Sequence, residues 1–70
     1  MASLKKRSFS LSGHRTSVAL ESAFWAVLEA DAKAQGLSLA AFVGGIDAAR
    51  GEHALASALR LKALEIASRR

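Results

Sequence analysis

Across residues 8–20 polar and apolar side chains alternate, and the alternation changes parity in the middle. Ser8-Phe9-Ser10-Leu11-Ser12 places its apolar residues at odd positions, whereas in Arg15-Thr16-Ser17-Val18-Ala19-Leu20 the face made by Thr16, Val18 and Leu20 is even. A period of two marks a half-buried strand, and a strand cannot change faces without an interruption. Gly13 is the natural interruption, because a glycine inside a strand pattern commonly marks a bulge or bend. Residues 14–20 are therefore read as the main strand and residues 8–12 as a looser, separately oriented extension. No second strand of comparable length is evident for residues 14–20 to meet through a tight turn, so the partner strand is expected from another copy of the chain.

From Glu21 the period becomes helical. Leu20, Phe24, Val27 and Leu28 recur at spacings of three and four, and Glu21 suits the positive end of a helix dipole. This first helix is expected to stop at Gly36, which accepts the left-handed conformation needed just past a helix end. Ser38 then offers an N-cap, and Leu39, Phe42, Val43, Ile46 and Ala49 form the stripe of a second helix ending before Gly51. Gly44-Gly45 within it should cost about 1 kcal/mol each relative to Ala. The pair points either to a close approach by another helix or to a local kink. Residues 54–70, with Leu55, Leu59 and Ile66 at spacings of four and seven and Leu61 and Leu64 alongside, read as a third helix with a fraying last turn.

Size limits what these elements can do alone. A chain of 70 residues, 51% of them hydrophobic, buries only about 60% of the surface its unfolded form exposes. With no Cys in the sequence, disulfides and Cys-based zinc sites are unavailable as staples, and self-association remains to cover the excess apolar surface. Charged or amide residues break every apolar run short of the roughly 18 residues of a spanning helix, and the basic start lacks the apolar stretch of a secretory signal. A cytoplasmic, nucleoid-associated location is expected.

Charge is uneven. Residues 1–20 carry Lys5, Lys6, Arg7 and Arg15 and no acid; residues 21–51 carry Glu21, Glu29, Asp31 and Asp47 against Lys33 and Arg50; residues 52–70 carry Arg60, Lys62, Arg69 and Arg70 over Glu52 and Glu65. A basic end on a mixed domain, with an overall pI near 10.4, points to a polyanionic partner.

A strand, a helix, a Gly-containing turn and a second helix behind a basic arm are the element order of the ribbon-helix-helix DNA-binding proteins. The blocks Gly13-His14-Arg15-Thr16-Ser17-Val18-Ala19-Leu20-Glu21 with Phe24-Trp25, then Ile46-Asp47-Ala48-Ala49-Arg50-Gly51, then Leu55-Ala56-Ser57-Ala58-Leu59-Arg60 resemble the short ribbon-helix-helix subfamily of alphaproteobacteria, over about residues 12–66. The resemblance implies a mainly α fold with one β-strand. It also implies an intertwined homodimer whose residues 14–20 pair between chains into a two-stranded antiparallel ribbon, with a third, C-terminal helix added. Residues 1–12 would be a basic N-terminal arm and residues 13–70 the domain.

The resemblance further implies that the outward ribbon face enters the major groove of double-stranded DNA. The outward positions are Arg15, Ser17 and Ala19. Arg15 can make a bidentate contact to guanine, Ser17 can donate or accept, and Ala19 can at most touch a thymine methyl. Better-known members carry a polar side chain at that third position, so Ala19 limits what the ribbon reads. The start of the second helix, at Ser38, Leu39 and Ala40, would clamp a phosphate through free amides, with Lys5, Lys6, Arg7 and His14 adding sequence-independent phosphate contacts. The implied function is a transcriptional regulator that represses by occupying its operator. The alternative is a dimer acting as a protein-interaction adaptor or antitoxin-like partner through its third helix.

Plainer readings stand beside these. Arg15 and Ser17 also suit a solvated strand face, Ser38 caps a helix whatever the function, Lys5-Lys6-Arg7 could be a solubilising arm, and Trp25 has the spacing of a core or interface residue. His14 and His53 lack a metal-ligand spacing, and no cofactor is expected. No nucleophile elbow or phosphate loop is present, and Glu29 and Asp31, two apart on a helix, diverge, so catalysis is not expected.

Overall fold

A computed structural model describes residues 3–69. The first two residues of the expected arm and the last of the expected third helix, Arg70, lie outside them. The order is β1 (Leu4–Leu11), β2 (His14–Glu21), α1 (Ser22–Ala34), α2 (Leu39–Ala49) and α3 (Leu55–Ser68).

Two strands are present where one was expected. Residues 4–11, assigned from sequence to an arm with a loose extension, form β1 and pair antiparallel with β2 of the same chain, from Leu4↔Glu21 at the open end to Leu11↔His14 at the turn. The physical reason lies in Ser12-Gly13. Both residues have positive φ, 52° and 80°, as a two-residue hairpin of type I′ requires. Because opposed residues share a face, a two-residue connection pairs odd positions with even ones. The parity change that looked like a bend within one strand is thus the register of a hairpin. Phe9 and Leu11 of β1 join Val18 and Leu20 of β2 on one buried face.

The helices follow local signals closely. Gly36, at φ 71°, ends α1: the amide of Leu37 bonds to the Ala32 carbonyl at 2.9 Å and that of Gly36 to the Lys33 carbonyl at 3.0 Å, the paired bonds of a Schellman motif. Ser38 caps α2, its hydroxyl accepting from the Ala41 amide at 3.1 Å. The apolar sheet face packs with Trp25, Leu28 and Ala32 of α1, Phe42 and Val43 of α2, and Leu55, Leu59, Ala63 and Ile66 of α3 in one core. Trp25, Leu20, Leu28, Leu59 and Val43 are its largest fully buried side chains, each contributing about 1.5–3 kcal/mol by removal from water.

The local kink is not seen at Gly44-Gly45, and within the chain no other helix comes within 4 Å of where their Cβ atoms would stand. α2 runs unbroken through the pair, and a Cβ on Gly44 would meet Leu11 Cδ2 of β1 at 3.9 Å, an ordinary contact with the sheet, while Gly45 faces open space. Leu4, Leu37, Leu61 and Leu64 remain exposed.

Candidate nucleic-acid interface

The hairpin register assigns every strand residue to a face. Lys5, Arg7, Phe9 and Leu11 share the helix-facing side with Leu20, Val18, Thr16 and His14. The opposite face has four rungs: Leu4 with Glu21, Lys6 with Ala19, Ser8 with Ser17, and Ser10 with Arg15. Arg15, Ser17, Lys6, Ser8 and Ser10 are exposed and Ala19 is half-buried. The hydroxyls of Ser8 and Ser17 lie 2.9 Å apart, so the central rung is a hydrogen-bonded pair that retains donor and acceptor capacity toward solvent.

This face is basic and polar. Glu21 is the only acid in either strand, and it sits at the end far from the turn, where Arg60 of α3 binds its carboxylate at 3.0 Å. The backbone amide of Glu21 itself, and then the Arg60 side chain, hold the Glu21 carboxyl below its ordinary value of 4.5. Arg60 also lies over Phe24, 5.9 Å from the ring centroid. Among the described residues, Arg15 and Lys6 enter none of the ion pairs.

The three outward positions read from sequence, Arg15, Ser17 and Ala19, thus lie together along β2. The residues assigned to phosphate divide between places. Lys6 shares the outward face, His14 sits at the turn on the opposite side, and Lys5 and Arg7 are on the helix-facing side of β1. Arg7 is tied there: its guanidinium bonds to Glu29 of α1 at 2.8 Å and lies 5.2 Å from the ring centroid of Trp25. Ser38, Leu39 and Ala40 begin α2, with Ser38 and Ala40 exposed. Ser8 and Ser10 were not recognised as part of the face. The signal that would have found them is the opposite parity of two alternating runs around Ser12-Gly13, which fixes which residues face each other.

A two-stranded antiparallel ribbon with a polar, basic outer face, followed by a helix, a glycine turn and a second helix, defines a ribbon-helix-helix protein. The family model described as "Ribbon-helix-helix domain" matches residues 4–67, and the chain belongs to that family. Its members are generally DNA-binding transcription regulators, typically dimeric and non-enzymatic. No curated protein and no solved structure matches the chain. No helix among the described residues is long and apolar enough to cross a membrane.

Proposed function

We propose that this protein is a homodimeric, sequence-specific DNA-binding repressor that lays the outer face of its β-ribbon in the major groove. The observation that carries the reading is the alignment of Arg15 and Ser17 on a solvent-facing ribbon whose sole acid is bound by Arg60. The major groove, about 12 Å wide, admits a two-stranded ribbon, and its base edges offer the acceptors a guanidinium reads. Arg15 is the guanine-reading side chain, Ser17 a donor or acceptor, and Ala19 at most an apolar contact to a thymine methyl. The amides at the start of α2 and the side chains of Lys5, Lys6 and His14 supply backbone contacts that set orientation without carrying sequence. Arg7, held by Glu29 and Trp25, is not counted among them.

The test is a fluorescence-anisotropy titration of duplex DNA at low and moderate salt, after selection of a preferred site from a random library. Wild type should bind with a steep salt dependence, and Arg15→Ala should lose about 1–3 kcal/mol of discrimination at one base pair. A folded wild-type protein that binds no duplex at low salt would remove the reading. Capture of a protein partner through α3 would then favour the adaptor alternative.

A further inference from the structure

Each strand of the hairpin has one paired edge and one free edge. Leu11↔His14 closes a two-residue turn and is therefore a hydrogen-bonded pair, and such pairs alternate along an antiparallel ladder. The main-chain groups of Arg15, Ser17 and Ala19 consequently point away from β1, and among the described residues no main-chain group outside the hairpin bonds to them. By the same alternation those of Lys6, Ser8 and Ser10 point away from β2, and the side chains of all six residues share the outer face. We propose that β2 pairs edge to edge with β2 of a second copy, and that β1 then flanks this inner ribbon as an outer strand whose Lys6, Ser8 and Ser10 grip the phosphates of the groove walls. β1 thereby acquires a task separate from that of β2, within the DNA-binding reading on which this rests.

The charge pattern selects the edge. A free strand edge is a template for another strand unless charge, proline or a bulge blocks it. β1 carries Lys5-Lys6-Arg7 in a row, whereas Thr16-Ser17-Val18-Ala19-Leu20 of β2 is uncharged and its register is free of bulges. Two copies of β2 can therefore meet antiparallel without like charges opposed along that run. Width then decides what β1 meets. Adjacent strands lie about 4.8 Å apart, so in the order β1-β2-β2-β1 the inner pair spans about 5 Å and the outer pair about 14 Å. The major groove is about 12 Å wide, so two strands fit between its walls and the flanking two lie over the phosphate backbones. An ammonium and two hydroxyls suit that place, because each can donate to a phosphate oxygen. Lys6, Ser8 and Ser10 are exposed, and β1 holds no acid that a phosphate would repel.

Two measurements test the arrangement. Hydrogen exchange on the DNA-free protein, at a concentration where sedimentation shows a dimer, should find the amides of Arg15, Ser17 and Ala19 as protected as those of Thr16 and Val18. Fast exchange at the three odd positions, or a protein that stays monomeric, would overturn the edge pairing whatever the DNA result. Anisotropy titrations across a salt series then compare wild type, Lys6→Ala, Lys6→Arg and Ser10→Ala on a selected site and on unrelated duplex. Ser10 is the serine replaced because Ser8 shares a hydrogen bond with Ser17, and circular dichroism confirms the fold of each variant. Lys6→Ala should weaken both duplexes equally and lower the slope of log K against log salt by about 1.8, from two phosphates per dimer at about 0.9 each. Lys6→Arg should keep the wild-type slope. Ser10→Ala should weaken both duplexes about tenfold with the slope unchanged, since a hydroxyl displaces no counterion. Altered base preference in Lys6→Ala or Ser10→Ala, or no effect of either, would overturn the wall contacts while the DNA-binding reading stands. Absence of duplex binding by folded wild type would overturn both.

Discussion

Nε1 of Trp25, in α1, donates a 2.8 Å hydrogen bond to the main-chain carbonyl of Lys5, in β1. One indole thereby joins the outer edge of the ribbon to the first helix. The same ring packs against Phe9 with centroids 6.0 Å apart and carries the Arg7 guanidinium over its face. With Trp25 only 1% exposed, three separate attachments of β1 converge on a core side chain.

Replacing that side chain should loosen β1 before anything else. Trp25→Phe keeps an aromatic ring but deletes the donor and leaves a small void, for a loss of about 2 kcal/mol. Urea unfolding reads the total, and hydrogen exchange should show the amides of β1 gaining more than those of α2. Uniform loss of protection across the chain would contradict the assignment of Trp25 as the anchor of β1.

The turn is open to change in both directions. Gly13 has φ 80° and nothing within 4 Å of where a Cβ would stand, so Gly13→Ala meets no clash and its cost is conformational, about 1–2 kcal/mol. Ser12, at φ 52°, is the less suited partner, and Ser12→Asn creates the preferred Asn-Gly pair and should raise stability by about 0.5 kcal/mol. Thermal or urea midpoints of the two variants should move in opposite directions.

Acid should weaken the fold partly through Glu21. A carboxyl held below its ordinary value of 4.5 binds its proton less readily in the folded state than in the unfolded one. Its contribution to stability is therefore complete above that value and is lost as pH falls through the lower folded-state value. Glu21→Gln removes this dependence, so the wild-type and variant urea midpoints should converge as pH is lowered from neutrality toward 3, with the wild type falling more steeply.

The cap of α2 separates folding from binding. Ser38→Ala should cost about 1 kcal/mol by leaving the Ala41 amide without its acceptor. Ser38→Asp preserves an acceptor and should preserve stability, while setting a negative charge where a phosphate is proposed to lie. Equal weakening of all duplexes by Ser38→Asp, without change in base preference, is the expected anisotropy result.

The helices were legible because their ends are written in single residues with strong local preferences: Ser38 as a cap, Gly36 and Gly51 beyond C-termini, Glu21 at the start of α1. The inward positions Val18 and Leu20 and the outward positions Arg15 and Ser17 were legible from alternation alone. β1 was not. Its first half, Leu4-Lys5-Lys6-Arg7, shows no apolar alternation, because Lys5 and Arg7 occupy the helix-facing side with their charged ends kept out, one exposed and the other paired with Glu29. Ser12-Gly13 is a weaker turn signal than Asn-Gly, and Ser12 gives no local hint of a positive φ.

The hairpin closed by Ser12-Gly13 pairs its two strands within one chain. Its assembly is a local event with a small loop-closure cost, so the rungs that set Ser10 beside Arg15 and Ser8 beside Ser17 are fixed by neighbours in sequence, whereas the helices must close longer loops before they meet in the core.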